Sequence, residues 1–275
     1  MLVRVISAIV ALCILVPVVI FSNTGALPIA AAIVCCICLY EMLGCLKLRR
    51  NPFVAIPFYL VGAFAPLAMR YMQDRTLLLA CLGACVAALA LIMLTVNVFS
   101  KRTIPTTQTS SMFMTGCYII AAFTCIVYIR DSSVHGQILL VMMFATPWVT
   151  DTFAYLFGRL LGKHKLIPEV SPKKTLEGCI AGIIGCTLFV VIYAFACTKL
   201  WDVTCNYIVL ILMGILLSMI GQIGDLAMSV IKREYNIKDY GKIMPGHGGA
   251  LDRFDSVLAV SIVVAIAEIF FDVFI

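Results

Sequence analysis

Residues 77–99 read LLLACLGACVAALALIMLTVNVF, and the stretch contains no charged side chain. A helix needs about 20 apolar residues to cross the hydrocarbon core of a bilayer; a barrel strand needs only about 9–11, with alternating polarity. This run is too long and too evenly apolar for a strand, so it reads as a transmembrane helix. Outward from it, the same test finds eight more candidate spans: Val3–Phe21, Leu27–Gly44, Phe53–Met69, Met112–Ile129, Gln137–Phe157, Gly178–Thr198, Tyr207–Asp225 and Phe254–Phe274. The N-terminal apolar run is longer than the about 7–15 residues of a signal-peptide core, and no convincing A-x-A site follows, so it counts as the first span.

Composition agrees. The 275 residues are 63% hydrophobic and only 12% charged, against about 25% charged in a soluble domain. The expected fold is all-α: a polytopic, multi-pass integral membrane protein of about nine helices in one domain, 1–275. Residues 1–136 read as scaffold spans and 137–275 as the half that carries the candidate site, because the polar groups concentrate there. The 13 Cys fall mostly inside apolar runs. Cys35 and Cys38 form a C-x-x-C with no polar flank or second pair, so they read as small apolar residues rather than as a disulfide or metal framework.

The basic residues give an orientation. With the N-terminus in the cytoplasm, one side collects Arg4, the Lys47–Arg50 cluster, Lys101 and Arg102, five Lys/Arg between Arg159 and Lys174, and five between Lys232 and Arg253. The other side holds only Arg70, Arg75, Arg130 and Lys199, a 16-to-4 split of the 20. Such a positive-inside bias predicts N-in, C-out and an odd number of spans.

Two basic loops stand out, one ending in SPKKTLEG (171–178), the other running through SVIKREYNIKDYGKIMPGHGGALDRFD (229–255). Asp225 lies at the end of an apolar run, where an acid is a functional candidate by default. If its helix continues, Asp225, Ser229 and Lys232 share one face. The bland alternative is a hydrated interfacial Asp paired with a nearby base. Asp252 and Asp255 flank the start of the last span and can share a face. Converging carboxylates repel, and a divalent cation removes the repulsion; Mg²⁺ takes one or two carboxylates plus phosphate oxygens and water. Helix-dipole stabilisation is the plain alternative for both.

Pro245, Gly246, Gly248 and Gly249 make a loop whose backbone N–H groups, feeding a helix N-terminus, suit phosphate. His247 within it reads either as a ligand contact or as a hydrogen-bonded structural imidazole. Asp151, with Tyr155 four residues on, interrupts an apolar run; a buried Asp there needs a partner, whether a metal, a Lys or Arg, or a hydroxyl such as Thr150, and a helix-packing Asp is the plain alternative. Ser171, Pro172, Lys173, Lys174 and Thr175 form a basic turn in which Ser171 is a candidate helix cap and the lysines face headgroups. Glu41 and Glu268 read as structural acids near span ends. Gly178 and Gly182 form a G-x-x-x-G that suits close helix contact and leaves a homodimer open.

The segment S-x-x-K-R-x-x-x-x-K-D-x-x-x-x-x-P-G-H-G-G-x-x-D-R-x-D, Ser229 to Asp255, resembles the signature of phosphatidate cytidylyltransferases (CDP-diacylglycerol synthases). Gly224-Asp225-Leu226, Asp151-x-x-Ala154-Tyr155, Gly158-Arg159, Gly162-Lys163 and Ser171–Gly178 resemble the same family. The motifs cover residues 151 to 255; the N-terminal half is similar only in hydropathy and length. Leu176 departs from the Trp often found in bacterial members, a change for packing more than for chemistry. The resemblance implies transfer of CMP from CTP to phosphatidic acid at the cytoplasmic face of a bilayer (the cell inner membrane if the source is bacterial), with no nucleic-acid partner. It implies Mg²⁺, with or without K⁺ alongside, held by Asp225 and Asp252.

An ionised lipid phosphate needs no strong base, so catalysis is positioning and charge neutralisation. Lys232, Arg233, Lys238, Arg253, Lys173 and Lys174 supply the positive charge, and His247 is cast as a phosphate hydrogen-bond donor. Two rivals remain. A CTP-dependent polyprenol or phytol kinase shares the setting but not the 229–255 segment. An ion-coupled transporter with Asp151 and Asp225 as its ion site predicts polar residues in both halves, whereas here they concentrate in one.

Overall fold

The computed structural model describes residues 2–100, 103–244, 246, 248–271 and 273–274, with side chains from Ile9 onward. Among them lie nine helices: α1 (Leu2–Ile20), α2 (Ala26–Cys45), α3 (Pro52–Tyr71), α4 (Arg75–Phe99), α5 (Thr106–Ser132), α6 (Gly136–Leu161), α7 (Leu176–Trp201), α8 (Tyr207–Glu234) and α9 (Leu251–Phe270). Each expected span is a helix. Seven, α2 to α8, are long and apolar enough to cross a membrane. The described side chains of α1 form a shorter apolar stretch, Ile9–Ile20. The 20 residues of α9 include Asp252, Arg253, Asp255 and Glu268. Large apolar side chains face outward, Leu79 at 70% exposure and Ile208 at 74%; in water such a surface would be a liability, in lipid it is the solvated face. The chain is an all-α, multi-pass membrane protein.

Two compact units partition the chain. The first comprises Met1–Tyr128 with Tyr235–Arg253. In it α2 packs on α3, and Leu39 of α2 and Phe58 of α3 are both fully buried. A side chain at Gly62 would strike Leu39, and one at Gly116 would strike Phe58. Asn51 caps α3, with Pro52 at its first position. Asp74 caps α4, accepting from the N–H groups of Thr76 and Leu77 at 2.9 and 3.1 Å. Arg70 donates to the carbonyls of Ser22, Asn23 and Thr24 at 2.9, 3.2 and 3.0 Å. Its charge answers the negative end of α1.

The second unit comprises Ile129–Glu234 with Phe254–Ile275. Its centre is α6, α7 and α8. Gly178, Gly182 and Gly185 on α7 face α6, where a Cβ would meet the Ala154 carbonyl, the Thr150 carbonyl and the Phe153 ring respectively. The G-x-x-x-G pair is thus used for packing within the chain. Gly214 on α8 closes in the same way on Thr187 of α7.

The loop before α7 is a small antiparallel hairpin, β1 (Lys165–Ile167) and β2 (Ser171–Thr175), rather than a simple turn. Consequently the cap of α7 is Thr175, whose Oγ1 accepts from the Gly178 N–H at 3.2 Å. Ser171, expected as the cap, pairs with Ile167 at the far end of the hairpin.

Candidate active site

In the second unit, α8 continues unbroken through Asp225 to Glu234, so Asp225, Ser229 and Lys232 do lie along one helix face. Gly224 sets what Asp225 meets. A Cβ there would come within 2.6 Å of the Ala259 Cβ and 3.0 Å of the Asp255 carbonyl, so only glycine permits so close a helix contact. The contact brings the Asp255 carboxyl within hydrogen-bonding reach of Asp225 and near Lys232. Asp255 and Lys232 are both buried, each 8% exposed. The Asp255 Oδ1 also accepts the Ser256 N–H at 2.8 Å.

Lys174 reaches this cluster from β2. Its Nζ lies 2.6 Å from the Asp225 Oδ2 and donates to the Gln222 carbonyl at 3.4 Å. Behind it runs a buried polar column. The Gln222 amide donates to the Ser218 Oγ at 3.3 Å, which in turn accepts from the Thr150 hydroxyl at 3.2 Å. Two acids and two bases are therefore held together at the end of an apolar helix. Two carboxyls this close repel, and a cation between them relieves the repulsion. Arg233 is exposed and donates through Nε to the Val170 carbonyl of the hairpin turn at 3.4 Å. Lys173 is exposed on β2.

Asp151 corrects an expectation: it is exposed rather than buried, and Tyr155 on the same helix is exposed too. The face of α6 carrying Thr146 and Thr150 is the one buried against its neighbours, and Asp151 is turned from it by about 100°. Thr150, one of the partners open to Asp151, bonds Ser218.

In the first unit, the 235–253 loop is arranged around two carboxylates. Asp252 accepts through Oδ2 from the N–H groups of Tyr240 and Gly249, at 2.8 and 2.9 Å. Glu41 of α2 is 1% exposed and accepts from Ala250 and Leu251 at 3.0 and 2.8 Å. Gly246 and Gly248 have φ of 78° and 92°, a left-handed backbone that favours glycine. Pro245 and His247 lie outside the described residues. The sequence suggested a loop that offers its N–H groups to phosphate. At Gly249, Ala250 and Leu251 those groups are already bonded to Asp252 and Glu41, because a carboxylate is as good an acceptor as a phosphate oxygen.

Beside this loop is an open cleft of about 620 Å³, lined by Tyr40, Glu41, Arg49 and residues 237–243. Lys238 and Lys242 are exposed in it. The Arg49 guanidinium lies 3.7 Å from the centre of the Tyr40 ring and donates to the Tyr40 hydroxyl at 3.1 Å. Arg253 is exposed at the start of α9. Sequence reasoning passed over Arg49, Lys242, Gln222 and the loop-holding use of Glu41. For Glu41 the available signal was an acid in the otherwise uncharged run 26–45.

Residues 2–271 match the cytidylyltransferase family. The chain belongs to the cytidylyltransferase family. It is 36% identical over 264 residues to a phosphatidate cytidylyltransferase of Staphylococcus haemolyticus (strain JCSC1435), covering 94% of this chain and 95% of that one. A protein of the same name from Staphylococcus aureus (strain COL) is 35% identical over 260 residues, with the same coverage of 94% and 95%. This cytidylyltransferase is therefore a nucleotidyl-transferring enzyme whose family likeness extends through the N-terminal spans as well as the motif-bearing half.

Proposed function

We propose that this chain transfers CMP from CTP to phosphatidic acid, yielding CDP-diacylglycerol and pyrophosphate for phospholipid synthesis. The observation that carries the reading is the end-to-end similarity to proteins named phosphatidate cytidylyltransferase, covering 94% of the chain. The site chemistry fits it. A phosphate oxygen of the lipid attacks the α-phosphorus of CTP as the bond from that phosphorus to the bridging oxygen of the β-phosphate breaks. The nucleophile is already anionic, so no general base has to be built, and the enzyme's work is alignment and charge neutralisation.

Asp225 and Asp252 are assigned to Mg²⁺ on the resemblance of the motifs that carry them. No group of three or more His, Cys, Asp or Glu among the described residues could hold a metal alone, which suits an ion that completes its shell with substrate phosphate oxygens and water. When bound, Mg²⁺ would neutralise charge on the phosphates. Lys174, now on Asp225, and Lys232 would then be available to phosphate oxygens. Arg233, Lys173, Lys238 and Arg253 would draw the two anionic substrates to the basic side, read here as the cytoplasmic one on the positive-inside rule. His247 would donate a hydrogen bond to phosphate.

The test is product identification. Purified protein in detergent, given CTP and phosphatidic acid with and without Mg²⁺, should form CDP-diacylglycerol only with the metal. A lipid acceptor phosphorylated at the expense of CTP, with CDP released, would replace this reading with a kinase.

A further inference from the structure

We infer that Glu41, on a span remote in sequence from every motif residue, is a positioning residue for the transfer reaction: it fixes the first turn of α9 and with it Asp252. The inference rests on the cytidylyl-transfer reading above. The Glu41 carboxylate is almost fully buried and bonds the backbone N–H groups of Ala250 and Leu251, across 209 and 210 residues of sequence. These are first-turn donors that the helix itself leaves unpaired. A buried acid at that place gains both charge-assisted hydrogen bonds and the favourable end of the helix dipole.

The glycines nearby carry the argument further. A Cβ on Gly241 or on Gly249 would collide with the Glu41 carboxylate. These two glycines are therefore required by the acid that holds the loop. Gly248, by contrast, is required by its own φ of 92°. The Gly249 N–H binds Asp252, so one residue links the two carboxylates: its amide holds Asp252 and its missing side chain admits Glu41. Displacing Glu41 moves the peptide that orients Asp252. Misplacement of a reacting group by about 1 Å costs on the order of 10²-fold in rate.

The test uses the full-length protein in detergent and Glu41→Gln, which keeps the shape and removes the charge. We expect kcat for CDP-diacylglycerol formation to fall at least about tenfold with KM for CTP within about threefold of wild type, the pattern of a loss felt in the transition state. Gly249→Ala should fall by a similar factor. The double variant should be little worse than either single, because both act on the same contact. Glu41→Asp should recover part of the rate.

Wild-type kcat in Glu41→Gln would overturn the inference. So would additive losses in the double variant. If Glu41→Gln loses thermal stability in detergent and its rate per folded molecule is unchanged, the residue is structural only and the inference is again overturned. A wild-type protein that makes no CDP-lipid would instead count against the reaction itself.

Discussion

The two acidic centres of this chain use carboxylates in opposite ways. At the end of α8, Asp225 and Asp255 face other side chains, Lys174 and Lys232, whose positions can be exchanged for a ligand's charges. In the 235–253 loop, Glu41 and Asp252 bond backbone N–H groups, which cannot leave without unmaking the loop. In the proposed reaction the first centre would trade partners, whereas the second holds a shape. Asp252 belongs to both kinds, as a proposed metal ligand whose Oδ2 also ties Tyr240 to Gly249.

The largest effects should come from breaking each centre in turn. Asp225→Asn and Asp252→Ala should each lower CMP transfer by on the order of 10²-fold or more, with membrane insertion retained. They should differ in hydrogen exchange. Asp252→Ala should speed exchange at Tyr240 and Gly249, whereas Asp225→Asn should leave those amides unchanged. Equal behaviour of the two would erase the distinction between the centres. Next, Lys174→Met should cost roughly tenfold to 10²-fold in rate, since truncating one partner of a partly buried pair leaves the other charge uncompensated; Lys174→Arg should recover part of it.

Smaller effects belong to the scaffold that brings β2 to α8. Gly185→Leu should drive a side chain into the Phe153 ring and destabilise by about 1–3 kcal/mol, read as a lower unfolding midpoint in detergent. Thr175→Ala removes the α7 cap and should cost about 0.5–2 kcal/mol by the same measurement.

The spans were plain in the sequence because an apolar run such as 77–99 admits one element type at that length. The Asp225–Lys232 face was plain because helical spacing is local. What escaped was set by contacts that spacing does not encode. Glu41 meets Leu251 across 210 residues. The hairpin at 165–175 hides behind Pro172 and two lysines, and so Thr175 rather than Ser171 becomes the cap. Asp151 lies outward because its neighbour Thr150 faces inward, against the glycine face of α7. The glycine loop looked open to phosphate because its acceptors, Glu41 and Asp252, were not visible as partners.

The most direct measurement follows phosphorus from CTP. Purified protein in detergent is given phosphatidic acid and CTP labelled at the α-phosphate in one reaction and at the γ-phosphate in another. The account predicts α-label in the lipid product and γ-label in pyrophosphate, in equal amounts. Label from the γ-position in the lipid, or no lipid label from either, would contradict it.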